Sequence, residues 1–379
     1  MKIGILTLPL HTNYGGILQA YALQTVLQKM GHDVKVITYD YSAPIYPFYK
    51  VAYHFVRRLI GCLLKFRKTN FYNINKEAAY FASRHQAKCI NVDKFIRRYI
   101  NCHFCRSLSE GVHQNNYDAF VVGSDQIWRK LFIQGHFKIY DAYLDFAKNW
   151  QVKRIAYAAS FGIDLWDYSE EETAIIKSLI RLFEAVSVRE QSGVELCRKY
   201  LNVDPMHVVD PTLLLEKEQY EQIIEQSSDL IVRKSHILTH YILDQSNELE
   251  HLVEKVAIDK SLSPFSLDLY KSRENPLSPP PQVEQWLAAF RDAEFVITDS
   301  FHACVFSIIF HKPFIVIGNK QRGYARFLSL LQAFGLQRNL ITSVKDYNPD
   351  VDYSIPISTY SKLDEWRKLS FNFLEKYLS

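Results

Sequence analysis

The chain has 379 residues, of which 48% are hydrophobic and 23% charged, with a formal net charge of +4. That balance is ordinary for a soluble globular protein, and the length is that of two domains. It excludes a helical membrane span, because no apolar run approaches the roughly 20 residues a bilayer requires, and no N-terminal signal peptide is expected.

The opening reads as a β-α-β unit. Lys2 to Leu8 is a strand, His11 to Gly16 a polar glycine loop, and Ile17 to Met30 a helix with apolar residues near helical spacing. Gly31 closes that helix, and Val34 to Tyr39 is the next strand. A basic aromatic stretch follows. Between Pro44 and Arg106 there are 13 Lys and Arg against two acids, Glu77 and Asp93, so the rest of the chain is net acidic. The stretch reads as a solvated helical face or as a surface for anionic lipid, through residues 48–68 and above all Arg57, Arg58, Lys65, Arg67 and Lys68. No nucleic-acid partner is expected.

Six cysteines are scattered through the chain. Cys102 and Cys105 form one C-x-x-C, but no second pair stands at zinc spacing, so no metal site is expected and reduced cytoplasmic thiols are the simplest account.

Three more strands run into polar turns. Tyr117 to Val122 ends at Gly123-Ser124-Asp125-Gln126-Ile127-Trp128, Arg154 to Ala159 at Ser160-Phe161-Gly162, and Ala185 to Val188 at Arg189-Glu190. A helix over Glu170 to Phe183 opens with Ser169 and Glu172 at capping-box spacing. Leu201 to Pro211 reads as a crossover. The organisation expected is an N-terminal domain over 1–205, a C-terminal domain over 206–360, and a final helix over 361–379 that packs back on the first. In the second domain, Ser235 to Tyr241 is a strand and Val283 to Ala293 a helix.

The most informative stretch is VITDSFHACVFSIIFHKPFIVI, Val296 to Ile317. A strand stops at Thr298-Asp299-Ser300, His302 follows, and a helix leads to a second strand. Turns at the carboxyl ends of parallel strands are where ligands bind. The expected fold class is therefore α/β, with two Rossmann-like parallel-sheet domains whose strand ends face across a cleft.

In order along the chain stand NYGGILQAYALQ, YDAFVVGSDQIW, RIAYAASFG, VSVREQSG, VVDPTLLL, WLAAFRDAEFVITDSFHACVFSIIFHKPFIVI and RFLSLLQAFGL. Through these the sequence resembles the polysaccharide pyruvyl transferase family. The resemblance implies a glycosyltransferase-B-like arrangement of the two domains. It also implies transfer of a pyruvyl group from phosphoenolpyruvate to two hydroxyls of a sugar, forming a ketal and releasing phosphate, with no cofactor. The acceptor would be a polysaccharide or a lipid-linked oligosaccharide, the latter placing the protein at the inner membrane face.

Protonating an enol carbon needs a positioned acid, and His302 matches the family's motif histidine. Asp299 is a candidate to orient His302 or to act as a base, with helix capping the alternative. Arg189 matches a family arginine suited to the donor's anionic groups. Relatives often carry an arginine where this chain has Ser300, so Lys320, Arg322 or Arg326 would supply the charge beside it. On the acceptor side stand Asn13 and Tyr14 of the glycine loop and Ser124, Asp125, Gln126 and Trp128, the last as a stacking platform or a core residue. Two rival readings are a nucleotide-sugar glycosyltransferase of the same architecture and a non-catalytic saccharide-binding relative.

Overall fold

A computed structural model describes residues 1–39, 56, 74–133, 138–227, 233–267, 279–318 and 323–379. The apolar runs form two parallel sheets. The first contains β1 (Lys2–Leu6), β2 (Asp33–Tyr39), β3 (Cys102–Cys105), β4 (Ala119–Val122), β5 (Lys153–Ala159), β6 (Ala185–Val188) and β7 (Met206–His207), in the order β3-β2-β1-β4-β5-β6-β7. The second contains β8 (Ile237–Tyr241), β9 (Ser263–Ser266), β10 (Phe295–Thr298), β11 (Phe314–Ile317) and β12 (Leu340–Ile341), in the order β12-β11-β10-β8-β9. The first has the doubly wound Rossmann order with one strand added, and the second repeats the flavodoxin-like order. The two-sheet α/β architecture expected from the sequence is present. Strands AFVV of β4 and FVIT of β10 are buried at every residue, as strands covered on both faces must be.

Among the described residues ten α-helices have six or more residues: α1 (Tyr14–Lys29), α2 (Ile74–Tyr99), α3 (Glu170–Ile180), α4 (Gln191–Leu196), α5 (Lys217–Glu225), α6 (Asn247–Lys260), α7 (Val283–Asp292), α8 (Phe301–Ile309), α9 (Tyr324–Phe334) and α10 (Ser358–Leu378). Helix α1 begins three residues before the apolar periodicity does, so Gly15 and Gly16 lie in its first turn. It is buried on most sides, including Gln19 and Gln24. Burial of an amide is tolerable only when its bonds are made. Gln19 donates to Thr7 Oγ1 at 2.9 Å and to the Gly16 carbonyl at 2.8 Å, and accepts from the Ser124 amide at 3.0 Å. One side chain thus fixes the loop after β1 against the loop after β4. The expected capping box is formed at α3, where the Ser169 hydroxyl accepts from the Glu172 amide and the Glu172 carboxylate from the Ser169 amide.

One continuous apolar core runs from Ile3, Ile5, Val34 and Val121 of the first sheet, through Ile17 and Leu18 of α1, to Trp286 of α7 and Phe306 of α8. The other face of the second sheet packs Leu238, Phe295, Ile297 and Ile315 on Leu252, Val253 and Val256 of α6. Because the first core passes between the lobes, their strand ends are held at a fixed separation by packing rather than by a linker.

One feature departs from the sequence reading. The stretch expected as a crossover contains β7, which pairs with β6 and so carries the first sheet past residue 205. Cys102 and Cys105 lie in β3, three residues apart on a strand, so their side chains point to opposite faces. Burial pushes the Cys102 thiol up to about 12 and the Cys105 thiol to about 11. Helix α10 ties the lobes. Arg367 donates to the Leu213 and Leu215 carbonyls at 2.6 and 3.0 Å, the Ser370 hydroxyl accepts from the Val209 amide at 3.2 Å, and Thr359 donates to the Phe334 carbonyl at 3.1 Å. Apart from Val56, residues 48–68 of the basic stretch lie outside the described residues. No helix among the described residues is long and apolar enough to cross a membrane.

Candidate active site

In an open parallel sheet the crevice for ligands opens where strand order reverses, at the carboxyl ends. The first sheet reverses between β1 and β4, and the second between β8 and β10. These two points meet. A Cβ added to Gly15, in the first turn of α1, would stand 2.1 Å from His302 Nδ1 and 2.7 Å from His302 Cβ. Gly15 is therefore required by the close approach of the imidazole to backbone.

Behind His302 runs a chain of buried charges. Asp125 Oδ1 is 3.3 Å from one Arg189 nitrogen, and a second Arg189 nitrogen donates to Asp210 Oδ2 at 2.5 Å. The same Asp210 oxygen is 3.5 Å from His302 Nε2. Asp125, Arg189, Asp210 and His302 are all at most 6% exposed. Burial alone would raise the Asp210 carboxyl, but the neighbouring His302 and the Arg189 charge, with hydrogen bonds from Thr212, hold it far below the usual carboxylate range. Burial likewise disfavours charge on Arg189, yet Asp210, Asp125 and Glu190 together keep its guanidinium more basic than usual.

Two guanidinium groups gather at one ring. Arg189 lies 4.4 Å from the Phe301 centroid and Arg326, of α9, 5.2 Å from it. Arg326 is buried, and burial followed by repulsion from Arg189 pushes it down to about 10. Close by, the Glu190 carboxylate accepts from the Phe161 and Gly162 amides at 2.8 and 3.1 Å through one oxygen. Its other oxygen, Arg189 Nε, His302 Nε2 and Ser160 Oγ are buried without a hydrogen-bond partner among the described residues. Buried polar atoms are normally paired, so four at one crevice mark a place where ligand or water belongs.

The candidates from the sequence separate into those the cleft holds and those it does not. His302, Arg189 and Asp125 come together as described. Gln126 accepts from Arg129 at 3.0 Å at the cleft side of β4, and exposed Asn13 points its amide towards Asp125 Oδ2 at 3.5 Å. Ser300 precedes α8, its amide donating to Thr298 Oγ1 at 3.0 Å. Lys320 and Arg322 lie outside the described residues.

Four assignments need correction. The Asp299 carboxylate accepts from the Leu243 and Asp244 amides at 2.7 and 2.9 Å, which pins the loop after β8; the acid facing His302 is Asp210. Tyr14 is buried between the lobes, its hydroxyl donating to the Pro281 carbonyl and its ring 5.6 Å from Trp286. Ser124 is fully buried, donating to the Ala158 carbonyl at 2.7 Å. Trp128 is fully buried, stacked on Tyr143 at 5.3 Å and donating to the Ala142 carbonyl at 3.1 Å. None of Tyr14, Ser124 and Trp128 has surface to offer a sugar.

The family described as polysaccharide pyruvyl transferase matches residues 13–321, from the glycine turn of α1 to beyond His302. The chain belongs to the polysaccharide pyruvyl transferase family. The pyruvyl transferase match takes in Asp125, Arg189, Asp210 and His302 and stops short of Arg326. No match was found among curated proteins. Solved structures similar to this pyruvyl transferase chain include three enzymes. One is the UDP-GlcNAc 2-epimerase of Neisseria meningitidis bound to UDP-GlcNAc, at 12% identity, covering 100% of this chain and 99% of that one, TM-score 0.48. A second is MurG of Acinetobacter baumannii, at 11% identity, covering 99% of each, TM-score 0.42. The third is the ADP-heptose LPS heptosyltransferase II of E. coli, at 10% identity, covering 97% and 99%, TM-score 0.39.

Sequence reasoning missed Asp210 and gave Glu190 no role. Asp210 follows a two-residue strand, too short for any period to mark it as a strand end. The signal available was the Asp-Pro-Thr step, where an aspartate caps the Pro211–Leu214 turn by accepting from the Thr212 amide.

Proposed function

We propose that the protein transfers the pyruvyl group of phosphoenolpyruvate to two hydroxyls of one sugar residue, in a polysaccharide or a lipid-linked oligosaccharide. The observation that carries this reading is the Asp125–Arg189–Asp210–His302 chain, set where the switch points of both sheets meet. The reaction needs a proton for the donor's methylene carbon, cations for its phosphate and carboxylate, and no cofactor. His302 gives the proton, and charge at C2 develops towards an oxocarbenium ion. One sugar hydroxyl adds at C2 and loses its proton, the phosphate departs with the C–O electron pair, and the second hydroxyl adds and loses its proton. The balance is phosphoenolpyruvate plus diol giving ketal plus phosphate.

Arg189 and Arg326 supply the cations, so the charge absent at Ser300 comes from α9. Lys320 and Arg322, which precede α9 in the sequence, are further donor contacts in this reading. The free amides in the first turn of α1 add a partial positive charge beside His302. Asn13 and Gln126 line the acceptor side, with Asp125, buried behind them, holding Arg189. A lipid-linked acceptor would set the reaction at the cytoplasmic face of a membrane.

Incubation with phosphoenolpyruvate and a galactose- or mannose-containing oligosaccharide tests the reading. Acceptor-dependent phosphate release is expected. Release of nucleoside diphosphate from nucleotide sugars, with none of phosphate from phosphoenolpyruvate, would make the protein a glycosyltransferase instead.

A further inference from the structure

Asp210 is 1% exposed and cannot touch a substrate, yet the charges of the site converge on it. Its Oδ1 accepts from the Thr212 amide at 3.0 Å and the Thr212 hydroxyl at 2.7 Å, which fixes the rotation of the carboxylate. Its Oδ2 serves two partners unequally. Arg189 donates to it at 2.5 Å, a full charge-assisted hydrogen bond, whereas His302 Nε2 stands at 3.5 Å, within ion-pair range but too long for a good hydrogen bond. His302 Nε2 has no other hydrogen bond among the described residues. The opposite nitrogen, Nδ1, is packed against Gly15, where an added Cβ would stand 2.1 Å away, so the ring is held between the first turn of α1 and Asp210.

The surroundings carry further charge. Asp125 and Glu190 act on Arg189 from the ends of β4 and β6. Arg326 acts from α9 across Phe301, whose ring is edge-on to His302 at 5.3 Å. Arg189 is therefore poised between carboxylates behind it and the crevice in front. An anionic donor attracts it forward. Its hold on Asp210 Oδ2 then weakens, and that oxygen can close on His302 Nε2.

We propose that Asp210 is a positioning residue that couples donor binding to the proton on His302. With the donor absent, Asp210 is chiefly the partner of Arg189. With the donor bound, it becomes the counter-charge of a protonated imidazole. The inference rests on the pyruvyl-transfer reading above.

Asp210→Asn removes the counter-charge and keeps the shape. The test is the pH dependence of kcat, at saturating phosphoenolpyruvate, for phosphate release with an acceptor that the unmodified protein uses, because kcat reports groups in the donor complex. An opposite charge at this range moves a titration by about one to three pH units. The limb on which activity falls with rising pH is expected to move down by that amount in Asp210→Asn, with kcat reduced at every pH. An unmoved limb, with only thermal stability lowered, would overturn the proposal and leave Asp210 a structural residue. Should Asp210→Asn not fold, Thr212→Val decides. It keeps the carboxylate but releases its 2.7 Å anchor. A several-fold lower kcat at unchanged KM for phosphoenolpyruvate supports the coupling, and an unchanged kcat overturns it. No phosphate release by the unmodified protein would sink the pyruvyl-transfer reading itself; turnover with an unmoved limb sinks only this inference.

Discussion

Replacing His302 by Gln is expected to lower kcat by about 10²–10⁴-fold, the usual worth of a positioned general acid. Saccharide affinity, measured by calorimetry on the same protein, should change little. Glutamine fills much of the same space against Gly15, so the lobes stay packed, but an amide cannot deliver a proton to carbon. The buried partners of His302 make the substitution informative. Asp210 retains Arg189 and both Thr212 bonds, so no carboxylate is stranded. Turnover within a few-fold of the unmodified protein would remove His302 from the mechanism.

Gly15→Ala is expected to cost nearly as much activity while leaving every charged group in place. The added methyl would sit 2.1 Å from Nδ1, 2.2 Å from Cγ and 2.7 Å from Cβ of His302. Contacts that short are not relieved by turning the tip of a flexible side chain, because His302 Cβ is anchored in α8. Either the imidazole swings off Asp210 or α1 retreats from α8. Both helices belong to the core shared by the two lobes, so retreat costs packing across it. Overpacking of this kind typically destabilises by about 1–3 kcal/mol. Melting temperature and kcat should therefore fall together. Gly16→Ala is the control: its methyl would meet Asn13 Nδ2 at 3.2 Å and Asp125 Oδ2 at 3.4 Å, gaps that a small shift relieves. Equal effects at the two positions would contradict the contact between Gly15 and His302.

The fold was legible wherever a strand was long, apolar and closed by a polar turn. Ala185–Val188 emerges with the expected bounds, and the strand before Asp299 and His302 is where its apolar run put it. The missed strands, β3, β7, β9 and β12, have two to four residues each, sit at or next to sheet edges, and are partly exposed, so no period of two could develop.

The site was legible to the same degree. Arg189 and His302 follow strands that could be read, and their positions are consequences of topology. Which carboxylate faces an imidazole is a tertiary fact. Asp299 and Asp210 both follow strands, but Asp299 is taken by two backbone amides of the β8 loop, and Asp210 comes from the far edge of the other sheet. Trp128 was open to both readings because its neighbours are polar. What buries it is Tyr143, in a run of short turns that carries no sequence signature of its own.

Pyruvyl transfer has one consequence that other uses of this cleft lack: solvent supplies a hydrogen to the donor's methylene carbon. The reaction run in D2O with phosphoenolpyruvate and a galactose- or mannose-containing acceptor, followed by NMR of the product, examines that step directly. The expected product is a ketal whose methyl group carries a single deuterium, formed together with phosphate. A product that keeps the methylene group as an enol ether, or a new glycosidic bond with no ketal methyl, would contradict the account.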